Sequence, residues 1–184
     1  VDQLASLKAL TDDLNGGKVE LLVIAGANPV YTAPSDLKFG EALKKAALRV
    51  HLGSHNDETA ELCNWHIPQS HYLEDWGDAR AFDGTVSITQ PLIKPMYESK
   101  SLHELLAAML GQPTKTSQEI VREYWRTQLG ADFEAKWKKS LHDGFIENTA
   151  LPALTVAPRA DWAAGLAAPK AAGREIVFRL DPHI

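Results

Sequence analysis

The chain has 184 residues, 45% of them hydrophobic, an ordinary share for a globular protein with one sizeable core. A net charge of −5 and the absence of any basic cluster argue against a nucleic-acid-binding surface. The lone cysteine, Cys63, excludes a disulfide framework and any iron–sulfur cluster held by this chain alone, and no apolar run reaches the roughly 18 residues of a membrane-spanning helix.

Leu4, Leu7, Leu10 and Leu14 recur at helical steps and predict an amphipathic helix ended by Gly16 and Gly17. Leu21 to Ala25 is an unalternating apolar run, which suits a strand buried on both faces in the interior of a parallel sheet. Gly26 supplies a sharp exit bend, and Pro29 and Pro34 are expected to keep the next segment irregular. Ser35 is a candidate cap for a helix from about Asp36 to Ala46, with Phe39, Ala42, Leu43 and Ala46 on one face. Leu48 to Leu52 is a second strand, and the short joints predict a right-handed βαβ unit. Asp57 is a candidate cap for a short helix, Glu58 to Cys63. Two parallel strands put their exit loops on one sheet edge, so Asn28 and Thr32 are expected near His55, Asp57 and Glu58. The turn has neither the G-x-G-x-x-G spacing nor the Gly-Lys-Thr cradle of nucleotide motifs.

Residues 64–95 are the least regular stretch and predict an ordered loop with one short strand, Val86 to Ile88. Three helices follow. The first carries Leu102, Leu105, Leu106, Met109 and Leu110 and stops at Gly111. The second opens on a Thr116–Glu119 capping box and ends at Gly130. The third carries Phe133, Trp137 and Leu141 and stops near Gly144. Their aromatic residues read as core packing. Residues 146–173 are rich in Ala, Pro and Gly and read as a surface excursion, and Arg174 to Leu180 alternates as a final strand. The whole is expected to be one α/β domain: a βαβ core and loop over 1–111, a helical part over 112–145, and the excursion with its strand over 146–184. Its fold class is a three-layer arrangement with a mostly parallel sheet and helices on both faces. The chain opens at Val1 in helix-like sequence and closes at Ile184 just after an apparent strand, so it is expected to be a piece of a longer protein.

Two constellations carry possible chemistry. Cys63, His66, His71 and Glu74 are zinc-ligand types, but they match no strong zinc signature, and hydrogen bonding within an ordered loop is the favoured use of the histidines. Glu74 and Asp78, with Arg80 nearby, are the residue types of an acid–base pair, with an ion pair or turn cap as the favoured use. Ser70 lacks the flanking glycines of a nucleophile elbow.

The Gly26-Ala27-Asn28-Pro29 turn after a buried strand resembles the molybdopterin oxidoreductase superfamily of the dimethyl sulfoxide reductase type. Asp57-Glu58-Thr59-Ala60 is similar to that family's helix start after the second strand. Asn64-Trp65-His66-Ile67-Pro68 stands in place of its Ala-Asp-x-x-Leu-Pro segment, and Glu74-Asp75-Trp76-Gly77 resembles a downstream Glu-x-x-Gly element. The forms Trp65-His66-Ile67-Pro68, His71-Tyr72-Leu73-Glu74 and Trp76-Gly77-Asp78-Ala79-Arg80 are most similar to one branch, the molybdopterin oxidoreductase-like iron–sulfur subunit of alternative complex III. The resemblance covers about Val1 to Gly111 and implies a subunit of a quinol-oxidising respiratory complex on the periplasmic side of the bacterial inner membrane. It implies partners among other domains of the same chain and other subunits of a membrane-associated complex, without direct membrane insertion. It also implies iron–sulfur clusters in a separate part of the parent and no redox cofactor in this piece, so the piece is expected to be a non-catalytic scaffold.

Two alternatives stand beside it. One is a domain of an active oxidoreductase that binds a molybdopterin guanine dinucleotide. The other is a protein-interaction module built on the Trp65–Arg80 loop, marked by an exposed apolar patch around Trp65 and Trp76. By resemblance the cofactor-binding positions are Gly26, Asn28, Pro29, Thr32, His55, Asp57 and Glu58. A large anionic pterin would also want cations, for which Lys38, Arg49 and Arg80 are the candidates.

Overall fold

The computed structural model describes residues 2–166, 173, 174 and 176–179. The chain divides into two compact units, Val1–Leu151 and Pro152–Ile184.

The first unit opens on α1, Gln3–Asn15, capped by the Asp2 side chain and closed at Gly16. Strand β1, Leu21–Ala25, follows with the predicted bounds. It pairs in parallel with β2, Leu48–Gly53, which pairs in parallel with β3, Trp65–Pro68. The fold is α/β with a parallel three-stranded sheet in the order β1-β2-β3. Leu14 of α1 meets Ile24 of β1 in a buried cluster with Phe39, Ala42, Leu43 and Ala46. The predicted apolar face of the first crossover is therefore the one that is buried.

Four local expectations are corrected. First, among the described residues β1 stands at the rim of its sheet with only Ile24 buried, whereas the middle strand is β2, which buries His51, Leu52 and Gly53. An apolar run alone does not distinguish a middle strand from a rim strand packed on one side. Second, no continuous helix runs from Asp36 to Ala46. Pro29 opens a one-turn helix α2, Pro29–Thr32; a 3₁₀ turn spans Ser35–Leu37; and α3 is only Phe39–Leu43. Lys38 at φ 48° separates the last two, and a left-handed residue cannot continue a right-handed helix. Pro at the first helical position suits α2, because its missing N–H has no partner there anyway. Ser35 is thus inside a turn and caps nothing. Third, the helix at Asp57 is a single turn, α4, Glu58–Glu61. Fourth, the irregular stretch holds two strands that its mixed polarity concealed, β3 and β4, Gly77–Arg80.

Strand β4 pairs antiparallel with β5, Val86–Thr89, and β5 with β6, Phe145–Ile146, making a second three-stranded sheet. Helices α5 (Leu102–Met109), α6 (Ser117–Leu129) and α7 (Phe133–Asp143) follow the predicted starts and stops, with capping boxes at Ser101–Glu104 and Thr116–Glu119. Trp125, Phe133 and Trp137 pack with Val86, Ile88, Val121 and Ile146 into a second buried cluster. Ile146, assigned from sequence to the surface excursion, is core. In the second unit, Arg159 pairs with Asp161 beside a turn at 160–165. The predicted final strand does not form over Arg174 and Ile176–Arg179, while Glu175 and Leu180 lie outside the described residues.

Candidate functional site

The exits of β1 and β2 meet, as expected, around a cleft of about 320 Å³ lined by Gly26, Asn28, His51, His55, Asp57 and Gln69 among others. Gly26 turns at φ 64°, a conformation that costs a glycine least, and its N–H donates to the Leu52 carbonyl at 2.8 Å. A network of side chains then ties the two loops together. Asn28 Nδ2 donates to Glu58 Oε2 at 2.7 Å, and Asn28 Oδ1 accepts from Thr59 Oγ1 at 2.7 Å and from Tyr31 N at 3.4 Å. The fully buried Thr59 hydroxyl accepts in turn from Val30 N at 3.1 Å. Asp57 Oδ1 accepts from Thr59 N and Ala60 N, capping α4. The Asn28 amide, followed by the residue's own backbone, holds the exposed Glu58 carboxyl below its ordinary range.

Beneath these loops lies a pair that sequence reasoning passed over. His51, 1% exposed, sits level with His66 on β3, with the rings stacked 5.2 Å apart and Nδ1 to Nδ1 at 3.1 Å. His51 Nε2 lies 3.2 Å from the Ala27 carbonyl. A carbonyl only accepts, so neutral His51 carries its proton on Nε2 and its Nδ1 accepts from His66 Nδ1–H. Asp57 Oδ1 is 3.9 Å from His51 Nδ1. Burial first, and the neighbouring His51 second, push the His66 imidazole below its ordinary 6.5, with Asp57 opposing. The signal was a histidine between Val50 and Leu52 in the strand Leu48-Arg49-Val50-His51-Leu52, whose only other polar residue is Arg49. Gly53 belongs to the same arrangement: a Cβ there would fall 2.4 Å from His51 Cε1 and 2.9 Å from Nε2.

The other predicted residues disperse. Thr32 Oγ1 donates to the Asn28 carbonyl, and Pro29 opens α2, so both brace the loop without lining the cleft. His55 lines it and pairs with Ser54 Oγ at 2.9 Å. None of the three candidate cations lines the cleft. Lys38 borders a different hollow beside Phe39, Arg49 donates to the carbonyls of Leu62, Lys44 and Ala46, and Arg80 donates to the Gly84 carbonyl. Cys63, His66, His71 and Glu74 do not converge, and among the described residues no three His, Cys, Asp or Glu side chains are grouped to hold a metal. Burial raises the Cys63 thiol. Glu74 accepts from His71 N and Met96 N, and these bonds, Met96 first, hold its carboxyl low. Asp78 accepts from the Trp125 indole at 2.6 Å. Glu74 and Asp78 thus brace a turn and a strand–helix contact. Trp65 is 66% exposed but Trp76 packs on Trp137, so the two do not form a joint surface patch.

The chain is similar to known proteins. The family model described as molybdopterin oxidoreductase matches residues 3–112. The menaquinone reductase molybdopterin-binding-like subunit of Nitratidesulfovibrio vulgaris (strain Hildenborough) is 32% identical over 95 residues, covering 50% of this chain and 14% of its own length. Acetylene hydratase from Pelobacter acetylenicus has the same fold over 72% of this chain and 20% of its own, with a TM-score of 0.59 and 19% identity. The chain therefore spans a small part of the length of each.

Proposed function

The chain belongs to the molybdopterin oxidoreductase family, and from that premise we propose that it is a scaffold domain of a quinol- or quinone-linked respiratory subunit, without a catalytic centre of its own. The observation that carries this reading is the network of Asn28, Thr59 and Glu58 across the two strand-exit loops. The family's name points to a molybdopterin, whose dinucleotide form is large and anionic. The cleft does not suit it: both ends of the Asn28 amide are engaged, Asp57 lines the cleft with Glu58 beside it, and none of the lining residues is Lys or Arg. A pyrophosphate there would meet like charge with no cation to offset it.

The menaquinone reductase relative supports an electron-transfer setting. On this reading the partners are other domains of the parent chain and further subunits of a membrane-associated complex of the alternative complex III kind, at the periplasmic face of the bacterial inner membrane. Any iron–sulfur clusters would be held elsewhere in the parent. Metal analysis of the purified full-length protein tests the reading. The expected result is molybdenum and tungsten far below one atom per chain, with any iron accounted for outside residues 1–184. One molybdenum per chain, lost on substitution of Asn28, would overturn it.

A further inference from the structure

A second hollow lies apart from the strand-exit cleft, largely on elements beyond the residues that match the family. It encloses about 440 Å³ between β4, α6, α7 and the segment after β6. That volume falls within the range of small-molecule sites, roughly 300–1,000 Å³. Trp125 and Ile146, 4% and 2% exposed, line it together with Leu129 and Phe145, giving an apolar wall held rigid by the second core.

Its charge is unusual for so acidic a chain. In the helical part, Arg122 and Arg126 pair with Glu134, Lys115 with Glu123, and Lys139 with Asp143 and Glu147. Arg80 and Lys136 both line the hollow, and among the described residues neither has a carboxylate within ion-pair distance. Each has one hydrogen bond, Arg80 to the Gly84 carbonyl at 2.8 Å and Lys136 to the Leu129 carbonyl at 2.9 Å. A guanidinium has five N–H donors and an ammonium three, so most remain for a ligand. The one carboxylate lining the hollow, that of Glu147, is held by Lys139 at 2.9 Å.

We propose that this hollow binds a small organic anion, a carboxylate carried on a flat apolar body, with Arg80 and Lys136 on the carboxylate and the Trp125–Phe145 wall against the body. Two unneutralised cations beside a rigid apolar wall suit that chemistry, because a guanidinium matches a carboxylate fork. Neither a neutral hydrocarbon nor an inorganic anion would use both features.

Calorimetric titration of the full-length protein with 1-naphthoate tests it, with 1-naphthalenemethanol as the uncharged counterpart. One site is expected, with the uncharged probe weaker by about ten-fold or more. Arg80→Ala and Lys136→Gln should each weaken naphthoate binding by about ten-fold, while Lys138→Gln, a substitution outside the lining residues, leaves it unchanged. Lys136 is exposed on α7, so its variant stays informative should Arg80→Ala lower the melting temperature. No heat of binding at millimolar naphthoate, equal binding of the two probes, or indifference to Lys136→Gln would each overturn the proposal.

Discussion

His51 and Gly53 line the strand-exit cleft, and His66 stacks on His51. His51 reaches the Ala27 carbonyl only because Gly53 leaves room for its ring. Gly53→Ala therefore forces the imidazole away and is expected to lower stability by about 1–3 kcal/mol, read from denaturant unfolding. His66 also makes stability depend on pH. The folded-state pKa of His66 lies below its ordinary value, so the unfolded chain takes up the proton first. Stability from this group is full above about pH 6.5 and is lost as the pH falls through the folded value. Thermal midpoints measured on descending pH should drop in that window, and His66→Gln should flatten the drop. His51 stands in the sequence between two apolar residues, Val50 and Leu52, but that its partner is His66 follows only from strand register. Asn28 and Asp57 were legible, since a Gly-bend and a helix cap are local signals. What Asn28 does was not, because its partners Glu58 and Thr59 are thirty and thirty-one residues away.

At the scale of elements, local chemistry fixed helix ends and long-range pairing fixed the strands. The Thr116–Glu119 box and the stops at Gly130 and Gly144 were readable because each involves neighbours within one turn. Strand β4 was not readable, since Gly77-Asp78-Ala79-Arg80 holds no β-branched or aromatic residue, and it becomes a strand by pairing with β5. Two substitutions probe these joints. Asn28→Ala removes the bonds joining the loop before α2 to the first turn of α4 and leaves the buried Thr59 O–H without its acceptor, so a loss of about 1–3 kcal/mol is expected from chemical denaturation. Trp137→Ala opens a cavity between α7, Phe133 and Trp76, and should cost about 3–5 kcal/mol. Far-ultraviolet dichroism through the unfolding transition would show whether α6 and α7 melt first.

Across the molecule, the Val1–Leu151 unit carries two sheets and two buried clusters, and the family match covers mainly the first. The parallel half was anticipated from an apolar run, a Gly-bend and a crossover. The antiparallel half was not, since β5 ends at Thr89 and meets β6 only at Phe145. The position of β1 has a practical consequence. Among the described residues its outer side carries no ladder partner, and its sequence, Leu21-Leu22-Val23-Ile24-Ala25, holds no charge or proline to discourage one. Handled by itself at high concentration, the polypeptide should stick to its own copies along that rim and scatter light on standing. Leu21→Lys, at a 44% exposed position, should keep it clear and monodisperse in light-scattering measurements.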